Sequence, residues 1–145
     1  MNRLACLIVF AIVVLASSAQ SEDACKTLPA AKTAAKKTHE SPFACDLAAL
    51  TPQQRKRHFD ELGPILKSLK TGVRELPDGY EFRYPSDPKT VALLAEWASQ
   101  ESLCCPFFDI SLRLEPEHGP AWMRLTGRAG TKAFMKAEAP EWIQQ

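Results

Sequence analysis

The sequence predicts an α+β fold, in which a small antiparallel sheet of about four strands packs against helices in the order α-ββ-α-ββ-α. Three observations indicate this fold. Two segments carry apolar residues at helical spacing, two pairs of segments read as strands, and short turn sequences join the members of each pair. Helices over one face of an antiparallel sheet fit that order best.

The first helix is predicted to begin at Thr51, which can cap it, with Pro52 in the first helical position and Gln54 completing a capping box. Gly63-Pro64 interrupts the pattern and predicts a kink, or a break with a restart. The inward face is predicted from four apolar residues at helical spacing: Phe59, Leu62, Leu66 and Leu69.

A hairpin follows, with strands over 73–76 and 80–84 around a Pro-Asp-Gly turn. A second helix is predicted to open at Pro88 and to stop before Pro106, with Trp97 at the margin of an inner face made of Val91, Leu94, Ala95 and Ala98. The third strand, over 108–114, has the most regular apolar alternation and is predicted to be central in the sheet. A fourth strand over 121–126 and a short helix around 131–138 complete the domain.

The chain begins with the three parts of a secretory signal peptide. Arg3 is followed by an apolar run over 4–16, and Ser17 and Ala19 are the small residues that a signal peptidase requires. We therefore assign 1–19 to a signal peptide, 20–42 to a flexible Ala/Lys/Thr-rich tether and 43–145 to the α+β domain. The apolar run is short for a retained membrane anchor, which is the alternative. The prediction is an exported protein, periplasmic or extracellular.

Composition excludes several function classes. The formal net charge of +1 argues against a nucleic-acid-binding face, which requires clustered basic residues. No second apolar segment suggests stable membrane insertion once the leader is removed. No nucleophile elbow, phosphate-binding glycine loop or metalloprotease helix is present, so the sequence favours a non-enzymatic role and identifies no catalytic residue. It identifies no protein partner.

Four segments of the domain share a pattern with known proteins: Ala44-Cys45-Asp46-Leu47, Glu75-Leu76-Pro77-Asp78-Gly79-Tyr80, the run from Glu101 to Phe108 around Cys104-Cys105, and Leu125-Thr126-Gly127. This pattern resembles an uncharacterised family of small bacterial proteins, many of them without a leader. The resemblance covers about 44–138. It implies that Cys45, Cys104 and Cys105 belong to the family pattern, whereas Cys25 belongs to the tether. Since leaderless members resemble cytoplasmic proteins, it favours a thiol role over a purely extracellular disulfide role.

Three thiols and one imidazole are the candidate functional groups. Cys45 precedes the first helix, His58 lies at the edge of its apolar face, and Cys104-Cys105 stands at a helix-to-strand junction where the two side chains are expected to diverge. We expect Cys45 to lie close to that junction. Three thiolates with an imidazole suit zinc, and thiolates alone suit soft ions such as copper(I) or trivalent arsenic. Cys45, Cys104, Cys105 and His58 are therefore the candidate ligands of a thiophilic metal ion, the cofactor that the sequence suggests.

Two alternatives stay open for the same thiols. Cys104-Cys105 could act in thiol-disulfide exchange, with Cys45 as the resolving thiol, because a disulfide between adjacent cysteines is strained and labile. The cysteines could instead form plain disulfides that staple a structural or interaction domain. Glu96 and Glu101 are predicted to lie on the solvated face of the second helix, although Glu101 is close to Cys104.

Overall fold

The computed structural model describes residues 40–144. The predicted signal peptide and residues 20–39 of the predicted tether lie outside the described residues, so these assignments stay predictions. The described domain confirms the α+β class, with a four-stranded antiparallel sheet in the order β1-β2-β4-β3. Within 40–144, no helix has both the length and the apolar character that crossing a membrane requires.

The elements follow the predicted succession closely. Their bounds, in chain order, are a 3₁₀ helix Leu47–Ala49, α1 Pro52–Arg55, a π-helical segment Lys56–Leu62, α2 Gly63–Leu69, β1 Gly72–Glu75, β2 Gly79–Tyr84, α3 Pro88–Cys104, β3 Phe108–Leu114, β4 Ala121–Gly127, α4 Thr131–Glu138 and α5 Pro140–Ile143. The short helix α5 was not predicted. Thr51 and Gln54 form the predicted capping box at the start of α1.

The predicted kink at Gly63-Pro64 takes the form of a widened helical turn. The Gly63 N–H donates to the His58 carbonyl, five residues earlier, which defines the π segment. Proline lacks an N–H, and in a regular α-helix its ring collides with the carbonyl four residues before it. The π segment avoids this conflict without ending the helix, and π segments are frequent at functional sites.

The widened turn also changes which residues of this helix face inward. His58, Leu62 and Leu66 are buried, whereas Phe59 is 44% exposed. The prediction that Phe59 is inward was therefore wrong, and His58 occupies the inner face instead of its edge. A strict α-helical periodicity could not show this, because the extra residue in the π turn shifts the side chains that precede it.

The third strand is at the edge of the sheet, not at its centre. Among residues 40–144, β3 pairs only with β4, and β4 lies between β2 and β3. The central position was predicted from its apolar alternation, yet Leu112 and Leu114 on the inner face are 39% and 57% exposed. The helices leave this end of the strand uncovered, and alternation alone does not report how far a neighbouring layer extends.

The core lies between the helices and the face of the sheet that carries Tyr80, Phe82 and Tyr84. α3 contributes Leu94, as predicted, but its buried stripe differs from the predicted one. The buried residues of α3 are Thr90, Leu94, Trp97, Gln100, Glu101 and Cys104. Trp97 is thus central instead of marginal, and Glu101 faces the interior. Hydrophobicity alone misplaced this face because part of the stripe is polar.

Gly79 is the position in the sheet where a side chain is least tolerable. A Cβ atom there would lie 2.0 Å from the Leu125 carbonyl oxygen, whereas a Cβ atom at Gly72 would lie 3.7 Å from the nearest atom, the Cβ of Arg83. We expect Gly79→Ala to lower the free energy of unfolding by about 2 kcal/mol or more, through steric overlap in a packed sheet. The matched control Gly72→Ala should change it by less than about 1 kcal/mol. Denaturant unfolding of both variants measures this, and equal stabilities would contradict it.

Candidate functional site

Cys45, Cys104 and Cys105 come together in the folded domain. The Sγ atoms of Cys45, Cys104 and Cys105 all lie within 4.8 Å of one another. Cys45 and Cys105 form a disulfide with a Cα–Cα distance of 4.8 Å, and Cys104 is a buried free thiol. The predicted proximity of Cys45 to the Cys104-Cys105 junction is confirmed, although 60 positions separate Cys45 from Cys105.

The end of α3 places the two adjacent cysteines. Cys104 is the last residue of the helix, and Cys105 caps it in a non-helical conformation with its N–H donating to the Glu101 carbonyl at 2.7 Å. The two side chains were expected to diverge, with one leaving the core. Both are 0% exposed, because Leu50 and Phe107 pack over them in a second small core. The expectation was wrong since it took no account of the segment that precedes the first helix.

That preceding segment holds Cys45 against α3. The Asp46 N–H donates to the Cys104 carbonyl at 2.7 Å, next to the disulfide. Two residues before Cys45, Phe43 packs edge-on against Phe107 with ring centroids 5.1 Å apart, and the Arg128 guanidinium lies 4.4 Å from the Phe43 ring centroid. Residue Cys45 itself is exposed. The disulfide therefore has one buried and one exposed end.

Cys104 is held as a neutral thiol. Burial, and secondarily the negative charges of Glu101 and Asp46, raise the pKa of Cys104 to about 11. The thiolate is the reactive and metal-binding form of cysteine, and near neutral pH very little of Cys104 is ionised. In this state Cys104 is a poor nucleophile, and any metal that binds it must displace its proton.

A buried histidine–glutamate pair lies next to the thiols. His58 and Glu101 are 1% and 8% exposed, and His58 Nε2 lies 2.8 Å from Glu101 Oε2. With Glu101 ionised, Nε2–H donates to the carboxylate, and Nδ1 is left buried without a hydrogen-bond partner among residues 40–144. The Trp97 ring stacks on the imidazole at 5.2 Å. His58 lies outside the three-sulfur cluster, so its predicted role as a ligand stays a prediction.

A second contact ties the π segment to α3. Arg57 donates from Nε and Nη2 to the two carboxylate oxygens of Glu96, both at 2.8 Å. These hydrogen bonds hold the pKa of Glu96 below its ordinary value. Glu96 is thus half-buried and paired, and Glu101 is buried, so the prediction of a solvated position was wrong for Glu101. A buried carboxylate is tolerated here because His58 supplies its partner.

A cavity of about 190 Å³ opens beside the disulfide. Cys45, His58 and Glu101 are among its lining residues. The remaining wall is mainly apolar, with aromatic and methionine side chains from the helices and from β3: Trp97, Phe108, Phe134, Met135 and Trp142. The cavity therefore combines one end of the disulfide, a buried acid–base pair and a mainly apolar lining.

Sequence reasoning missed the His58–Glu101 pair and the cavity. A usable signal was present for the pair, because Glu101 lies four residues after Trp97 and three before Cys104, on one helical face. The cavity had no such signal, since its walls come from segments that are distant in sequence.

Comparison with known proteins gives no further guidance: no family model, no curated protein and no solved structure matches the chain. The fold and the site define an α+β domain with a three-sulfur cluster. Its function has to be inferred from that geometry.

The disulfide should make a large contribution to stability. Cross-linking residues 60 positions apart restricts the unfolded chain, and the chain-entropy relation gives about 4 kcal/mol for a loop of that length. We expect reduction, or Cys45→Ser, to lower the free energy of unfolding by roughly 2–5 kcal/mol. Denaturant unfolding with and without a phosphine reductant measures the change. Cys104→Ala keeps the disulfide and is the control, so reductant should still lower its stability. A wild-type protein whose stability does not change with reductant would contradict the prediction.

The thiol of Cys104 should make stability depend on alkaline pH. Its pKa is raised from 9.0 to about 11 on folding, so the folded state binds this proton more tightly than the unfolded state does. The resulting stabilisation is complete below about pH 9 and is lost as the pH rises from about 9 to 11. We expect the unfolding free energy of wild type to fall more steeply over this window than that of Cys104→Ala. Parallel slopes in denaturant unfolding would show that the thiol does not titrate as expected.

Proposed function

We propose that this protein is an exported thiol-bearing binding domain that captures a thiophilic metal or metalloid through the reduced forms of Cys45, Cys104 and Cys105. The observation that carries the proposal is the convergence of three sulfur atoms within 4.8 Å. Two thiolates on one tetrahedral zinc ion lie about 3.8 Å apart, for bonds of about 2.3 Å. To share one ion, the most distant sulfurs have to approach by at most about 1 Å, and the sulfurs of Cys45 and Cys105 have to move apart once their bond is reduced.

The donor set favours soft elements. Thiolate ligands select copper(I), zinc and other thiophilic ions over magnesium or calcium, which require oxygen ligands. Two of the three sulfurs are fully buried, so water competes poorly for an ion at the cluster. His58 stays in the proposal as an additional nitrogen ligand, supported by its buried Nδ1, which has no hydrogen-bond partner in the described part of the chain.

The three cysteines cannot all bind an ion while the Cys45–Cys105 disulfide is formed. A sulfur atom in a disulfide has no thiolate to offer, so Cys45 and Cys105 bind an ion only after reduction. Because the Cys104 thiol has a raised pKa, an ion that uses all three sulfurs releases a proton from Cys104 on binding. Affinity should accordingly fall as the pH falls.

Export is part of the same proposal. It is supported by the leader-like residues of 1–19 and by the disulfide, a bond that persists in oxidising compartments. Membership of the small bacterial family that the cysteine-bearing segments resemble is likewise proposed. If it holds, leaderless members would work in a reducing compartment, where the thiol form of the cluster is the resting form.

Thiol-disulfide exchange is the second candidate, favoured by the exposure of Cys45 at one end of the disulfide. The pairing differs from the sequence-based hypothesis, because Cys45 is bonded to Cys105 and the Cys104-Cys105 bond is not formed. Cys104 would then be the attacking thiol, a role that its raised pKa opposes near neutral pH. A purely structural disulfide is the third candidate.

Arsenite binding to the reduced protein tests the proposal, since trivalent arsenic forms three bonds to sulfur. After reduction with a phosphine, native mass spectrometry should show one arsenic per chain. Replacing Cys45, Cys104 or Cys105 by Ser should each weaken binding at least about tenfold, as loss of a ligand should cost no less than loss of an outer-shell partner. Cys25→Ser is the matched control and should leave binding unchanged.

Three other outcomes would contradict capture. Reduced wild type that retains no arsenic would exclude it directly. A reversible, oxidising reduction potential without arsenic retention would favour thiol-disulfide exchange. A disulfide that resists reduction in the native state would favour a purely structural role.

A further inference from the structure

The cavity beside the cysteines is larger than a metal ion requires. Its volume is about 190 Å³, and Cys45 lies in its wall. An apolar cavity of about 150 Å³ in another protein stays dry and binds benzene. The space beside Cys45 is therefore sufficient for an organic group of the size of an aromatic ring.

The walls indicate the chemistry of that group. Seven of the lining residues are large and apolar: Phe59, Trp97, Phe108, Leu125, Phe134, Met135 and Trp142. Such walls favour an apolar occupant that is removed from water. Charge narrows the choice further, because Glu101, Glu138 and Glu141 line the cavity and no Lys or Arg does so among the described residues. An anionic ligand is disfavoured, and a neutral or cationic one fits.

We propose that the ligand of the sulfur cluster is a mono-organic compound of a thiophilic element, such as a monoaryl compound of trivalent arsenic. This inference rests on the proposed function and names its substrate class. The element bonds the sulfur atoms of Cys45 and Cys105, and its organic group occupies the apolar cavity. Cys45 joins the two features, since it belongs to the three-sulfur cluster and also lines the cavity.

The bonding step balances without a change of oxidation state at arsenic. An external dithiol first reduces the Cys45–Cys105 disulfide and is itself oxidised to a disulfide. A monoarylarsenous acid then exchanges its two hydroxyl groups for the two thiols. Two As–O bonds break, two As–S bonds form, and two molecules of water leave with the thiol protons. Cys104 takes no part in this step, because two bonds to sulfur complete the three bonds of a monoaryl arsenic centre.

The experiment compares methyl-, phenyl- and biphenylarsenous acid with arsenite, each bound to the phosphine-reduced full chain. Each affinity is divided by the affinity for a free small dithiol, which removes differences in intrinsic arsenic–sulfur bonding. We expect the normalised affinity for phenylarsenous acid to exceed that for methylarsenous acid by at least about tenfold, because an aryl group is buried in an apolar site. The normalised affinity for biphenylarsenous acid should be lower than that for phenylarsenous acid. This arm uses the unaltered protein, so it does not depend on any variant folding.

A cavity-filling variant supplies the second arm. Ala139 lines the cavity, whereas Ala137 is exposed on α4 and does not. We expect Ala139→Leu to lower phenylarsenous acid affinity by about tenfold or more while arsenite affinity stays within about twofold. Ala137→Leu should change neither affinity. Cys104→Ser should weaken arsenite, which uses three sulfurs, more than phenylarsenous acid, which uses two.

The outcomes separate the two proposals. Two results would overturn the cavity assignment and leave ion capture intact. One is equal normalised affinities for methylarsenous and phenylarsenous acid. The other is an unchanged affinity for phenylarsenous acid in a folded Ala139→Leu variant. Failure of reduced wild type to bind arsenite while it binds phenylarsenous acid would overturn three-sulfur ion capture and retain the organic ligand. Failure to bind any of the four compounds would overturn both.

Discussion

The covalent link between Cys45 and Cys105 is the contact on which the rest of the site depends. It joins the segment that precedes the first helix to the end of α3, and a hydrogen bond from the Asp46 N–H to the Cys104 carbonyl lies beside it. These two contacts bring three sulfur atoms together and bury two of them. Burial, and then the negative charges of Glu101 and Asp46, raise the pKa of Cys104 and keep the thiol protonated. One junction thus sets the geometry, the burial and the ionisation of the cluster.

The buried polar pair behind that junction joins the irregular part of the helix to α3. His58 reaches Glu101 from a π turn that also accommodates Pro64, and Trp97 covers the imidazole. A carboxylate in the interior is costly unless a partner satisfies it, so the two residues specify how the π segment and α3 pack. The same packing leaves the apolar cavity beside Cys45. Helix irregularity, polar pairing and cavity are therefore parts of one arrangement.

The sequence predicted what local pattern determines. Helix caps at Thr51, strand alternation and proline positions located the predicted elements closely, and the expected meeting of Cys45 with Cys104-Cys105 is confirmed. The sequence-based predictions failed where contacts between distant segments determine strand position or side-chain burial. The edge position of β3 depends on which strand β2 pairs with, and the burial of Glu101 depends on His58, 43 positions away. Which two cysteines are bonded likewise depends on how the N-terminal segment docks, which no spacing reveals.

Two of the three cysteines are bonded and one is free, and this difference affects which substitutions related proteins can tolerate. Cys45 and Cys105 form one bond, so where the bond serves stability alone, related proteins should lose both cysteines together. Cys104 is not part of the bond and should then be replaced by other small residues. In a lineage that uses all three sulfurs, none of the positions can change alone. Substitution patterns at these three positions, and at the cavity-lining Ala139, would therefore record which use selection has maintained.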